Sequence, residues 1–142
     1  MDIDSDVQLL AALLFSETKN IEDAKGVANV VINRTKRPNR FGANLFDVIT
    51  APSQFSGVNT PEWDKALDIK NQSESEQKLY KQYLAISSSA LRGTLKDTTN
   101  GADHYANLKL VKPEFSKVYP KTVVIDQHTY FKEPTPAGKK AK

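Results

Sequence analysis

The chain has 142 residues, 39% of them hydrophobic and 26% charged, which fits one compact soluble domain large enough to bury a core. It contains no cysteine, which excludes a disulfide framework and any thiolate nucleophile or metal site. The formal charge of +3 is a mild excess that suits an anionic partner, such as nucleic acid, a membrane surface or an acidic polymer, or simply solubility.

The N-terminal MDIDSDVQLL carries three aspartates and no basic residue ahead of its apolar run. That is not the pattern of a secretory signal, and no apolar run nears membrane-spanning length. The expectation is a chain made in the cytoplasm without an export route of its own. Asp4 or Ser5 is placed to cap a first helix over residues 6–18. Leu10, Leu13, Leu14 and Glu17 fall at i, i+3, i+4 and i+7 and share one face of it. Asn20 with Asp23 resembles a capping box and opens a second helix, on which Ala24, Val27, Val31 and Arg34 form one face. Gly26 costs that helix about 1 kcal/mol relative to alanine and predicts a close helix–helix contact.

Residues 37–42, RPNRFG, break the helix; residues 45–49 predict a helical turn, and residues 51–57, APSQFSG, a loop. A third helix is predicted to start near Pro61 or Glu62. The clearest later one covers residues 75–91, with Leu79, Tyr83, Ile86 and Ala90 on one side and Gly93 as its stop. Residues 97–103 are turn-rich. Residues 121–132 are β-prone and predict one or two short strands. The last ten residues, EPTPAGKKAK, lack large apolar side chains and predict a flexible basic tail after a domain spanning residues 1–132. No internal repeat or second domain is apparent.

Glu17 poses the main chemical question, because it extends a leucine face near a helix C-terminus. Partial desolvation and the negative end of a helix dipole both favour the protonated form of a carboxylate. A carboxylic acid of that kind is what glycosidases use on a leaving oxygen. Spacing alone favours a solvated glutamate paired loosely with Lys19 or a neighbour.

The ordered set LLFSE, GVANVVINR, PSQFSG, ALRG, NGADHYAN and IDQHTYFK resembles the cell-wall hydrolase family that includes the bacterial spore-cortex-lytic enzymes, within the lysozyme-like superfamily. The resemblance spans about residues 7–132. It implies an α+β, mainly helical, lysozyme-like single domain with a short β segment near the C-terminus. It implies Glu17 as the catalytic acid. Gln54, Phe55 and Ser56 would form a wall of a glycan groove, with Tyr105 and Asn107 fixing the sugar. Aromatic faces pack on sugar rings, and amides bond their hydroxyl and acetamido groups. A core plug is the rival role for Phe55, a structural hydrogen bond for Tyr105, and a turn cap for Asn107. The chain departs from the family pattern at Thr18, Lys19 and Asn20, at Asn100-Gly101 and at Leu108, positions that bear on substrate and product rather than on Glu17.

Glycosidases commonly need a second carboxylate, and Asp47, Glu62, Asp97 and Asp103 are candidates by type. The resemblance extends to single-glutamate lytic transglycosylases, which need none. The expected activity is therefore cleavage of the MurNAc–GlcNAc bond of peptidoglycan with formation of 1,6-anhydro-MurNAc. A hydrolytic muramidase of the same fold is the alternative. No cofactor is implied. His104 and His128, with Asp103, lack the spacing of a zinc motif, so no metal site is expected and both histidines are read as structural. Ser87, Ser88 and Ser89 sit mid-helix without a nucleophile elbow. Lys36, Arg37 and Arg40 beside Phe41 support a rival reading as a basic non-catalytic domain that binds nucleic acid or the envelope. The partners expected are glycan strands and, through the tail, the anionic envelope, with a monomeric chain delivered to the wall by other proteins, as a phage endolysin is.

Overall fold

The computed structural model describes residues 3–51 and 54–134, with the side chains of Ile3 and Asp4 left out. Helix α1 (Ile3–Glu17) is the centre of the molecule. Leu10 to Phe15 are all fully buried, so the second half of α1 is covered on every side rather than along one face. Its cover comes from α2 (Ile21–Thr35), α4 (Leu45–Thr50), α5 (Pro61–Leu67) and α6 (Glu74–Leu91). A short α3 (Pro38–Phe41) forms within the segment expected only to break α2, because Pro38 sits at its first turn, where the missing N–H does no harm. Because α1 begins at Ile3, Asp4 and Ser5 lie inside its first turn and are not caps.

The other helix ends follow their local chemistry. The Asn20 side chain accepts from Asp23 N at 2.8 Å and starts α2. Ser73 and Glu76 close a reciprocal capping box on α6. Gly93, at φ +77°, ends α6, with Thr94 N–H donating to Ser89 O and Gly93 N–H to Ala90 O, the pairing of a Schellman stop.

After α6 the chain turns through residues 97–103 into β1 (His104–Ala106), a strand absent from the sequence-based expectation. A one-turn helix α7 (Phe115–Val118) leads to the hairpin β2 (Lys121–Ile125) and β3 (His128–Phe131). The antiparallel sheet has the order β1-β3-β2, with Tyr105 opposite Tyr130 and Ile125 opposite His128. His128 and Tyr130 are two apart on β3 and share the face toward α2. Gly26 lets them approach: a Cβ there would lie 2.7 Å from Tyr130 Cζ and against its hydroxyl. The close contact expected of Gly26 is therefore with a strand, not with a helix. Two side chains of α2 hold the entry to β1. Asn33 Nδ2 donates to Ala102 O at 2.8 Å, and Arg34 Nε donates to Asp103 O at 2.7 Å.

Glu133, the first residue of the expected tail, is held against the domain. Glu133 accepts from Arg37, Arg40 and the Tyr119 hydroxyl, and its N–H donates to Asp103 Oδ1. Residues 135–142, the rest of the expected tail, lie outside the described residues, as do Pro52 and Ser53 of the 51–57 loop. The same contacts engage two of the three cations of the basic cluster. Arg37 is spent on Asp103 and Glu133, Arg40 on Glu133, and both stack on Phe41.

Burial alone would raise the Glu133 carboxyl, but Arg40, Tyr119 and Arg37 outweigh it and bring the value down to about 2. A carboxylate whose folded value is depressed stabilises above its unfolded value and loses that contribution as pH falls through the folded one. Because both arginines are a third or more exposed, the contribution is discounted to about 1–2 kcal/mol. Glu133→Gln is expected to melt about 3–7 °C below wild type at neutral pH. The two melting curves should converge as pH falls from about 4.5 to about 2. A gap that stays constant with pH would assign the loss to packing instead.

Candidate active site

The apolar run of α1 ends where the protein opens. Phe15 is buried, whereas Ser16 and Glu17 are half-buried on the floor of a groove of about 1010 Å³. That is the upper end of ligand-site volumes and more than one small ligand needs. The end of α1 is tied down from three directions. Lys19 Nζ donates to Phe15 O at 2.5 Å, the Tyr83 hydroxyl donates to Thr18 O at 2.9 Å, and Thr18 N–H continues the helix to Leu14 O. The glutamate therefore projects from a fixed point rather than from a frayed terminus.

Both carboxylate oxygens of Glu17 are engaged. The Tyr105 hydroxyl of β1 donates to Oε1, Gly57 N–H donates to Oε2, and the Ser56 hydroxyl stands 3.5 Å from Oε2. A loop and a strand thus fix one side chain in two directions. Burial, then the neighbouring Glu17 charge, pushes the Tyr105 phenol well above the usual tyrosine value, so it stays protonated and donates. Lys19 does not pair with Glu17. It reaches Glu62 on the groove rim at 2.7 Å.

The residues expected of the site separate into two groups. Gln54, Ser56, Tyr105 and Asn107 line the groove with Glu17. Phe55 does not: it is 6% exposed, packs at 6.2 Å from the Tyr105 ring, and carries the Arg34 guanidinium on its face. Its burial agrees with the core-plug role weighed for it, packed beside Tyr105. Arg34 also donates to Gln54 Oε1 at 3.1 Å, so one buried cation braces the whole 54–56 loop from behind. Asn107 lines the groove and also serves as a turn cap. Its Oδ1 caps the turn at Lys109 N, and its Nδ2 reaches Gln127 on the rim.

Sequence reasoning did not single out Gly57. A Cβ at Gly57 would collide with Glu17 Oε2 and Ser16 Oγ and lie 2.8 Å from Ser16 Cβ, so only glycine lets the loop close on the acid. Its place in the quoted PSQFSG stretch was the available signal. Reasoning also missed the role of Asp23 and His128. Asp23 is fully buried, and its side chain turns away from the reciprocal half of the capping box. Its Oδ2 lies 2.5 Å from His128 Nδ1, and its Oδ1 accepts from the Tyr130 hydroxyl at 2.6 Å. His128 lines the groove, with its ring 4.8 Å from that of Tyr105.

The other histidine belongs elsewhere. His104 pairs with Asp103 at 2.8 Å inside a box of Phe41, Phe115 and Tyr119. Among the described residues no group of three or more His, Asp or Glu is placed to hold a metal ion. Nor is any helix among them long and apolar enough to cross a membrane.

No curated protein matches the sequence. In structure the chain is similar to the catalytic domain of the germination-specific lytic transglycosylase SleB from Bacillus anthracis. The TM-score is 0.66 at 20% identity, covering 93% of this chain and 97% of that one. That likeness carries the fold: a mainly helical, lysozyme-like domain with a small sheet near its C-terminus. Residues 19–131 match the family model described as Cell Wall Hydrolase, a span that begins two residues after Glu17. The glutamate itself lies outside the matched span. The matched span supplies the strand, the loop and the helix around it, and it places the chain in the cell wall hydrolase family, as an enzyme that degrades the wall.

Proposed function

We propose that the protein cleaves the β-1,4 bond between MurNAc and GlcNAc in peptidoglycan as a lytic transglycosylase, with Glu17 as both acid and base. The clamp on Glu17 carries this reading. Tyr105 and Gly57 hold a single carboxylate in a groove of about 1010 Å³. In the first step Glu17 gives a proton to the glycosidic oxygen, and the bond from the muramic C1 to that oxygen breaks. The GlcNAc side leaves as an alcohol. In the second step the Glu17 carboxylate takes the proton of the muramic C6 hydroxyl. O6 then bonds to C1, which closes the anhydro ring and returns the acid. Water is not consumed.

The carboxylates considered as second partners support this economy. Asp97 is folded into its own turn with Thr99 and Gly101, and Asp103 is buried against Arg37 and His104. Asp47 follows the cap of α4. Only Glu62 of the four reaches the groove, and Lys19, with Lys65, holds its carboxyl below the usual range. Asp126, on the tip of the β2–β3 hairpin, also borders the groove. Those two rim carboxylates favour a second reading, a hydrolytic muramidase that uses one of them to activate water.

Digestion of purified sacculi, with the soluble products read by mass spectrometry, separates the two. Anhydro-muropeptides support transglycosylation. Reducing muramic ends, with activity lost in Glu62→Gln or Asp126→Asn, would replace it with hydrolysis. No soluble product at all would sink both readings.

In either route Gln54, Ser56, Tyr105 and Asn107 are proposed to meet the sugar. Tyr105→Phe removes one donor from Glu17 and keeps the ring between Phe55, Tyr130 and His128. We expect turnover to fall about 10- to 100-fold, the worth of one hydrogen bond to a charged group, with the melting temperature within a few degrees of wild type. A large loss of stability would make the hydroxyl structural.

A further inference from the structure

The Asp23–His128 pair is a buried polar construction at the groove that the proposed reaction does not use. It is costly to build. A fully buried carboxylate at the start of α2 meets a histidine 105 positions further along the chain, and Gly26 is needed to admit Tyr130 as its second donor. A structural histidine on a strand would need none of this.

The pairing has a chemical consequence. A carboxylate only accepts hydrogen bonds, so a neutral His128 must donate from Nδ1–H to Asp23 Oδ2. The proton is then absent from Nε2, which becomes an acceptor. That nitrogen has no hydrogen-bond partner among the described residues, and the ring lines the groove against the Tyr105 ring. Asp23 Oδ1 is filled by the Tyr130 hydroxyl, which leaves Asp23 no freedom to turn away.

We infer that His128 is a substrate contact of this groove, an acceptor at Nε2 whose tautomer Asp23 sets, and that it takes a hydrogen bond from a sugar hydroxyl next to the one Glu17 acts on. The inference rests on the glycan-cleaving reading of the groove. It adds a contact from the sheet to those proposed for Gln54 and Ser56 of the loop.

Two side-chain replacements divide the imidazole between them. His128→Asn keeps an amide N–H where Nδ1–H was and lacks anything at Nε2. His128→Gln reaches the Nε2 position with an amide and gives up the Asp23 bond. Asp23→Asn presents an N–H to Nδ1 and so reverses the ring, making Nε2 a donor. On sacculi, His128→Asn and Asp23→Asn are expected to lose about 10-fold in kcat/KM, with His128→Gln closer to wild type. His128→Asn at wild-type turnover and wild-type melting temperature would overturn the proposal.

The tautomer is read separately, on the folded protein, from long-range proton–nitrogen spectra of the imidazole. Nδ1 should carry the proton. The Nε2 resonance should shift when a GlcNAc–MurNAc oligosaccharide is added to the Glu17→Gln protein. A proton on Nε2, or no shift with saturating oligosaccharide, would also overturn it, even if the replaced proteins fail to fold. An inactive wild type would sink the glycan-cleaving reading through the sacculus assay, whereas an active wild type with an unresponsive Nε2 sinks only this contact.

Discussion

Glu17→Gln is expected to lower the release of muropeptides from sacculi by about 10³-fold, within the range a positioned general acid contributes. It should leave the fold intact. Glutamine keeps the shape of the side chain and one acceptor oxygen. That oxygen must stay toward Gly57, because a backbone N–H cannot turn around. The amide nitrogen then faces Tyr105, whose hydroxyl can rotate from donor to acceptor. Both contacts survive, and no charge is left stranded, so the melting temperature should match wild type or rise slightly. The comparison is made on equal amounts of folded protein, with products identified by mass spectrometry. A glutamine variant that solubilises sacculi at the wild-type rate would remove Glu17 from the chemistry and move attention to Glu62 and Asp126 on the rim.

What the sequence made legible was local. Asn20 and Asp23 announce the start of α2, Gly93 announces the end of α6, and the turn residues of 97–103 announce a turn, because each effect acts within four or five positions. The helix that carries Glu17 was legible for the same reason, although its leucines are buried all round rather than along one face. What stayed hidden depended on partners distant in the chain. Asp23 looks like half of a capping box until β3 brings His128 and Tyr130 to it. Gly26 announces a close contact but not which element makes it. Arg37 and Arg40 read as a basic patch until Asp103 and Glu133 arrive from the far end of the chain. Phe55 reads equally as a sugar contact or a core plug until the fold buries it with the Arg34 guanidinium on its face. Strand β1 is only three residues long and carries no alternation of its own; it exists because β3 offers it an edge. Glu17, Ser56 and Tyr105 could therefore be named in advance, whereas the contacts of Gly57, Asp23 and His128 could not.

Gly57 is the sharpest test of that apparatus. A methyl group there would press on Glu17 Oε2 and Ser16 Oγ and approach Ser16 Cβ to 2.8 Å, well inside ordinary contact. Ser16 cannot yield, because it is part of α1 and its hydroxyl donates to Leu13 O at 2.8 Å. Either the 54–57 loop lifts or Glu17 swings aside, and in both cases the Gly57 N–H loses Oε2. Gly57→Ala is therefore expected to reduce turnover about 100-fold, the usual penalty for a displacement of about 1 Å at a reacting group. The stability loss should be about 1–3 kcal/mol, that of modest overpacking. Gly93→Ala serves as the control. Its φ of +77° strains an alanine, but a Cβ there meets nothing within 4 Å, and it stands at the end of α6 away from the groove. It should lose about 1 kcal/mol and keep full activity. If Gly57→Ala loses no more activity than Gly93→Ala, the loop does not position the acid, and Tyr105 alone must hold it.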